Sequence, residues 1–371
     1  MDSLKCYQCN QKYPIFDRRW RCDCGGVLDI EFSPSLDVSK VAQRSPNLWR
    51  YRDAIPLPED AQPVSFAEGF TPLLPVVFSG KTLFVKQDYL FPSGSYKDRG
   101  ATLLISLAKW LGIERVVEDS SGNAGCAIAA YCANAQIGCE IFVPSDTSPG
   151  KLAQIRRYGA RLQLIPGSRE DTAAAVMKAA ENEFYASHSW NPFFFHGTKT
   201  WAYEVCEQLG WSAPDTVILP AGNGTLLLGA AIGFRELAGM GIIHQIPRII
   251  AVQAENCAPL AKAFELNSMV LPTIYKKETL AEGIAIAEPV RGKQILEEVR
   301  SSGGDFLKVK ESEIVASLDM MCRLGFYIEP TSAAVIAGAQ RYATTAKSGE
   351  VIVTTFTGSG LKATEKMLKL D

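Results

Sequence analysis

The chain contains no run of about 18 uninterrupted apolar residues, which excludes a helical membrane span of the usual kind. It has no basic block. Thirty-eight Lys and Arg against 40 Asp and Glu leave a formal charge of −2, which argues against non-specific nucleic-acid binding. The opening stretch "MDSLKCYQCNQKY" lacks the apolar core of a secretory signal, so residence in the cytoplasm is expected. Internal repeats and low-complexity tracts are also missing. What remains is 371 residues with 47% hydrophobic content, enough for one large or two medium globular lobes.

Cysteine is plentiful, with ten in all, and it falls into two groups. Cys126, Cys132, Cys139, Cys206, Cys257 and Cys322 are scattered through apparent helices and strands and fit buried thiols in a reducing compartment. The other four, Cys6, Cys9, Cys22 and Cys24, form a C-x-x-C and a C-x-C pair. That pattern predicts a zinc-ribbon-like segment over 1–34, with a structural metal, because four thiolates leave no open position for chemistry. The second pair is one residue shorter than the usual knuckle, so a ribbon that holds no metal is the alternative.

Residues 35–64 are proline-rich and weakly periodic and predict a linker. Beyond them, short apolar strands such as "KTLFVKQD", "RVVEDS", "CEIFVPSD", "TVILPAG" and "RIIAVQAE" alternate with helical stretches of about 10 to 15 residues. This predicts an α/β fold with mostly parallel sheets in two lobes. We assign 65–96 and 197–371 to a large lobe and 97–196 to a smaller, mobile one.

Three junctions between strand and helix carry small residues: "PSGSYKDRG", "DSSGNAG" and "PAGNGTLLLG". In open α/β sheets ligands bind at the carboxyl ends of the strands. Backbone N–H groups at a helix start favour an anion: a carboxylate at 119–125, a phosphate at 220–229. In the first junction Ser95 is expected to cap a helix whose first turn holds Lys97. A cation is disfavoured there by the helix dipole. A reactive amine explains the placement, because a lysine that bonds a phosphorylated aldehyde would serve pyridoxal phosphate. An ordinary surface lysine is the alternative.

The ordered set "GSYKDRGA", "SSGNAG", "GNGTLLLG", "EPTSAAV" and "FTGSGLK" resembles threonine synthase and its relatives among the fold-type II, tryptophan-synthase-β-like pyridoxal-phosphate enzymes. The resemblance runs from about residue 60 to the C-terminus and extends to the cysteine ribbon. It implies that Lys97 forms the Schiff base and shuttles protons. It implies that Asn123 meets the cofactor ring hydroxyl, and that Gly222, Asn223, Gly224 and Thr225 hold its phosphate. Ser121, Gly122, Asn123, Ala124 and Gly125 would grip the substrate carboxylate. Thr357 would face the ring nitrogen and leave it largely unprotonated, which suits expulsion of a leaving group. A homodimer is also implied.

Two positions depart from the family pattern. The stretch "SHSWNPFFFHGTKT", residues 187–200, keeps Asn191, Pro192, Gly197, Lys199 and Thr200. Phe194 stands where threonine synthases carry a phosphate-binding arginine, and Ala124 where they carry a threonine. A dianion buried against phenylalanine is costly, so O-phosphohomoserine is a doubtful substrate. His188, Ser189 or Arg291 could replace the lost ligands, and Phe194→Arg should restore them if the pocket admits a guanidinium. "FFF" as plain core packing is the alternative. His196 and His244 read as structural, Glu282 as bordering the cofactor pocket and Glu329 as the start of a packed helix.

The expected activity is a threonine-synthase-like lyase that eliminates or replaces a β or γ substituent of a small amino acid. Serine/threonine ammonia-lyase or cysteate-synthase-like replacement chemistry is the alternative. A non-catalytic regulatory protein that binds the cofactor is the reading from another class.

Overall fold

The computed structural model describes residues 2–78, 80–167 and 169–370. The chain divides into two compact units, one made of 1–69 and 97–198, the other of 70–96 and 199–371. The backbone passes between them three times, at 69/70, 96/97 and 198/199.

The first unit begins with a three-stranded antiparallel ribbon, Lys12–Pro14, Ser3–Cys6 and Leu28–Glu31 in spatial order. Residues 35–64 follow, with a helix Val38–Gln43 and a 3₁₀ turn Leu48–Ala54 that bury Val41, Leu48, Tyr51 and Ala54. A four-stranded parallel sheet comes next, in the order Arg161–Ile165, Gly138–Pro144, Arg115–Glu118 and Phe184–Tyr185. Its central strands are apolar runs, as expected where helices cover both faces of a parallel sheet. Helices Asp98–Trp110, Asn123–Ala135, Pro149–Arg157 and Arg169–Ala179 alternate with these strands.

The second unit holds a six-stranded sheet in the order Asp305–Val309, Arg248–Ala254, Thr216–Pro220, Ile352–Thr355, Lys81–Lys86 and Leu73–Phe78. All pairs are parallel except the last, a hairpin at one edge. All five residues of Thr216–Pro220 are buried, and the loop that leaves its carboxyl end opens helix Thr225–Gly239. Lys86 and Glu204, both fully buried, pair at 2.7 Å, and Lys86 Nζ also donates to the Thr71 carbonyl and Gln208. These bonds compensate charges that burial would otherwise penalise by several kcal/mol.

The sequence suggests one helix from Gly197 to Gly210, but the structure has two, Pro192–Thr198 and Thr200–Gln208, with Lys199 between them. Lys199 is fully buried, and burial pushes its ammonium down against the opposing pull of Glu236, which it meets at 2.8 Å.

Candidate functional site

In the first unit, helix Asp98–Trp110 starts one residue after Lys97, which is itself the N-cap. The Lys97 carbonyl accepts the N–H groups of Gly100 and Ala101, while its side chain is half-buried. Ser95 is therefore not the cap; its backbone bridges Gly358 instead. Asp98 supplies a negative charge in the first helical turn, where it complements the dipole. Burial, then the Asp98 and Glu68 carboxylates, push the Tyr131 phenol well above its ordinary value.

Lys97 Nζ lies 5.8 Å from the ring centre of Phe194. That ring is fully buried and rests on Gly100, where a Cβ would come within 2.2 Å of it. At Gly197 a Cβ would approach the Arg99 carbonyl oxygen to 2.1 Å. Two glycines thus let helix Pro192–Thr198 press against the helix that carries Lys97.

The second loop leaves strand Arg115–Glu118 and ends at helix Asn123–Ala135. No side chain caps that helix, and residues 120–123 are partly or fully exposed. A Cβ on Gly125 would sit 1.9 Å from the Ser120 carbonyl oxygen, so the loop folds tightly over the first helical turn. Ser121, Gly122, Asn123, Ala124 and Gly125 thus form an N-terminal nest whose partial positive charge suits a carboxylate.

Beside this loop, two carboxylates meet the segment that follows strand Phe184–Tyr185. Glu118, fully buried, is 2.7 Å from His188 Nδ1. Asp119 accepts a 2.8 Å hydrogen bond from the Tyr185 hydroxyl. The His188 ring lies 6.2 Å from the Phe194 ring at 70°. Ser189 Oγ is 3.3 Å from Ser187 Oγ. Glu118 escaped the sequence analysis, although an acidic pair ending an apolar strand is a signal, because a buried carboxylate needs a partner.

In the second unit, residues 221–224 lead into helix Thr225–Gly239. Gly224 has φ +75°, and no side chain caps the helix. A Cβ on Gly222 would meet the Gly283 carbonyl and Ile284 Cα at 2.9 Å, and one on Gly224 would meet Ile295 at 2.5 Å. Asn223 is half-buried between them. The 3₁₀ turn Glu282–Ile284 therefore walls this loop, and Glu282 itself pairs with Lys366 at 2.9 Å. Thr225 Oγ1 is 2.7 Å from the Tyr96 hydroxyl.

Thr357 is buried just after strand Ile352–Thr355, which pairs with Thr216–Pro220. Its hydroxyl donates to Glu329 at 2.6 Å and lies 2.9 Å from Ser332 Oγ. Its carbonyl accepts the Tyr96 N–H at 2.9 Å. Tyr96 thus joins Thr357 to Thr225, and Lys97 is the next residue along the chain. Ser95 Oγ is buried with no hydrogen-bond partner. Tyr96, Ser332 and Glu329 were not legible as site neighbours, because hydroxyl networks across 25 residues or more leave no local pattern. Arg291, also in this unit, is buried and donates to Gln294 at 2.8 Å. His196 is buried, while His244 is exposed.

Uncapped amides at a helix start, glycines that no Cβ could replace, and an unpartnered buried hydroxyl are the donor set a phosphorylated pyridine aldehyde requires. The residues present fit pyridoxal phosphate.

In the ribbon, the sulfurs of Cys6, Cys9, Cys22 and Cys24 all lie within 4.8 Å of one another. The Cys6–Cys24 and Cys9–Cys22 sulfurs are 3.5 Å apart. The N–H groups of Gln8 and Cys9 point at Cys6 Sγ from 3.4 and 3.5 Å. Burial opposes ionisation of Cys22, but hydrogen bonds from Tyr13 and from Cys24 and Cys9 outweigh it and bring the thiol to about 6.

A family model described as pyridoxal-phosphate dependent enzyme matches residues 64–358. A threonine synthase from Methanocaldococcus jannaschii is 34% identical, over 99% of this chain and 96% of that protein. One from Methanosarcina acetivorans is also 34% identical, over 98% and 92%. Among solved structures, maize serine racemase superposes with a TM-score of 0.67 at 22% identity, covering 81% of this chain and 93% of that one. A threonine deaminase from T.th. gives 0.65 at 23%, covering 78% and 92%. At these identities the structural likeness speaks to the fold alone.

Proposed function

The chain belongs to the pyridoxal-phosphate dependent enzyme family, and on that premise we propose that it is a threonine-synthase-like lyase that eliminates or replaces a β or γ substituent of a small, unphosphorylated amino acid. The observation that carries the substrate part is Phe194. It is fully buried and lies under Lys97, at the position where the family resemblance calls for an arginine.

Pyridoxal phosphate, when bound, supplies an aldehyde for a lysine amine and a ring that draws electrons from the substrate Cα. Gly222, Asn223, Gly224 and Thr225 would hold its phosphate through the amides that open helix Thr225–Gly239. Asn123 would meet the ring hydroxyl, and Thr357 would face the ring nitrogen with its hydroxyl turned from Glu329 to donate there. Lys97 would hold the aldehyde carbon and, once released by substrate, take the Cα proton at Nζ. The nest at 121–125 would orient the substrate carboxylate. Helix starts without a side-chain cap support both anion roles.

The names of the relatives favour a second reading, threonine formation with phosphate ligands rebuilt elsewhere. His188 and Ser189 are candidates for that role in the first unit.

The same proposal includes one structural zinc ion on Cys6, Cys9, Cys22 and Cys24. Tetrahedral zinc with bonds of about 2.3 Å separates its sulfurs by about 3.8 Å, and the observed cluster is close to that spacing. A homodimer and residence in the cytoplasm complete it. None of the ten cysteines is in a disulfide, in keeping with a reducing compartment. Light scattering at micromolar concentration tests the dimer.

Borohydride reduction of the holoenzyme followed by peptide mapping tests the site. The pyridoxyl group should be found on Lys97. A different labelled lysine refutes the assignment.

A further inference from the structure

We infer that His188 is the proton donor to the departing substituent, positioned by Glu118, and that the preferred substrate is a β-hydroxy-α-amino acid. The inference rests on the lyase function proposed above and deepens it.

The geometry lies within one compact unit. Glu118 ends strand Arg115–Glu118, immediately before the carboxylate-binding loop. The strand pairs in parallel with Phe184–Tyr185, and the Ala186 N–H continues the ladder onto the Val117 carbonyl. This register delivers His188 to Glu118, with Nδ1 and Oε1 2.7 Å apart. The neighbouring carboxylate, Asp119, is bonded to Tyr185. Phe194 neighbours both groups that can move protons: the Lys97 amine is 5.8 Å from its ring centre and the His188 ring 6.2 Å. The charged and titratable groups here include Glu118 on His188, Asp119 on Tyr185, and Lys97 on the Phe194 ring.

A carboxylate on Nδ1 fixes the ring orientation and keeps a proton on that nitrogen. Nε2 then gives a proton when the ring is cationic and becomes an acceptor afterwards. With Glu118 ionised, the His188–Glu118 pair carries no net positive charge whether or not the ring is protonated, so it does not neutralise a phosphate dianion, and Phe194 adds no cation. Phosphate also leaves without an added proton, whereas hydroxide does not. The arrangement suits a substituent that must be protonated as it departs.

In the elimination, the Cα–H bond breaks and its proton passes to Lys97 Nζ. The Cα electron pair forms the Cα–Cβ double bond. The Cβ–O bond breaks with its pair on oxygen, and the proton from His188 Nε2 completes a water molecule. Water then hydrolyses the resulting enamine to an oxo acid and ammonia.

The test compares L-serine with β-chloro-L-alanine, whose chloride needs no proton. In the holoenzyme, His188→Asn should lower the ratio of serine to chloroalanine turnover about 100-fold or more, the usual contribution of a general acid. Glu118→Gln should lower the same ratio and move the alkaline limb of the serine pH profile to lower pH, because the carboxylate that stabilises the imidazolium is gone. It should leave the chloroalanine profile in place. If both substrates lose turnover equally in either variant, or neither does, the residues are structural and the inference is overturned. If His188→Asn does not fold, Glu118→Gln decides by the same ratio. Failure of the underlying lyase function is visible separately, in native protein that turns over neither compound, and it overturns the inference as well.

Discussion

Replacing Phe194 by arginine is the direct way to ask whether this position can be returned to phosphate recognition. The ring is fully buried and packs on Gly100. Losing a buried phenylalanine side chain costs about 3–5 kcal/mol, of which an arginine stem recovers part. The new guanidinium would lie about as far from Lys97 as the ring does, at 5.8 Å. At an effective dielectric constant of about 20, two like charges at that distance repel by about 3 kcal/mol. We therefore expect Phe194→Arg to be roughly 3–5 kcal/mol less stable in urea unfolding, with no gain in phosphate release from O-phosphohomoserine. On this reasoning the pocket does not simply admit the guanidinium. A variant as stable as the native protein that released phosphate about 100-fold faster would refute this reasoning.

Two further outcomes concern the loop and the ribbon. Gly125→Ala places a Cβ 1.9 Å from the Ser120 carbonyl oxygen. It should deform the carboxylate nest and raise KM roughly tenfold or more, while absorbance still reports cofactor on Lys97; an unchanged KM removes the nest from substrate binding. Chelator-washed protein should retain one zinc per chain by metal analysis, and Cys22→Ser should lower both zinc content and thermal stability. Metal-free native protein of unchanged stability would leave the ribbon without a metal role.

The three junction loops were legible in the sequence because small residues at the end of an apolar strand have a local physical meaning. The four ribbon thiols were legible from their paired spacing, and the structure brings them into one cluster despite the shorter C-x-C. Other features depend on partners far along the chain. Ser95 has good capping chemistry, yet it bridges Gly358, and Lys97 takes the cap position. Glu118 and His188 are 70 residues apart, and only the parallel register of their strands unites them. Strand Leu73–Phe78 contains a proline and lies at a sheet edge, and strand Phe184–Tyr185 has only two residues. Neither carries enough periodicity to stand out.

The substrate claim is tested most directly by steady-state kinetics of the native holoenzyme, with phosphate release from O-phosphohomoserine measured beside ammonia and oxo-acid release from L-serine and L-threonine. The account predicts a higher kcat/KM on one of the unphosphorylated amino acids. A kcat/KM for phosphate release above about 10⁴ M⁻¹s⁻¹, within the ordinary enzyme range, with no turnover of either hydroxy amino acid, would contradict it.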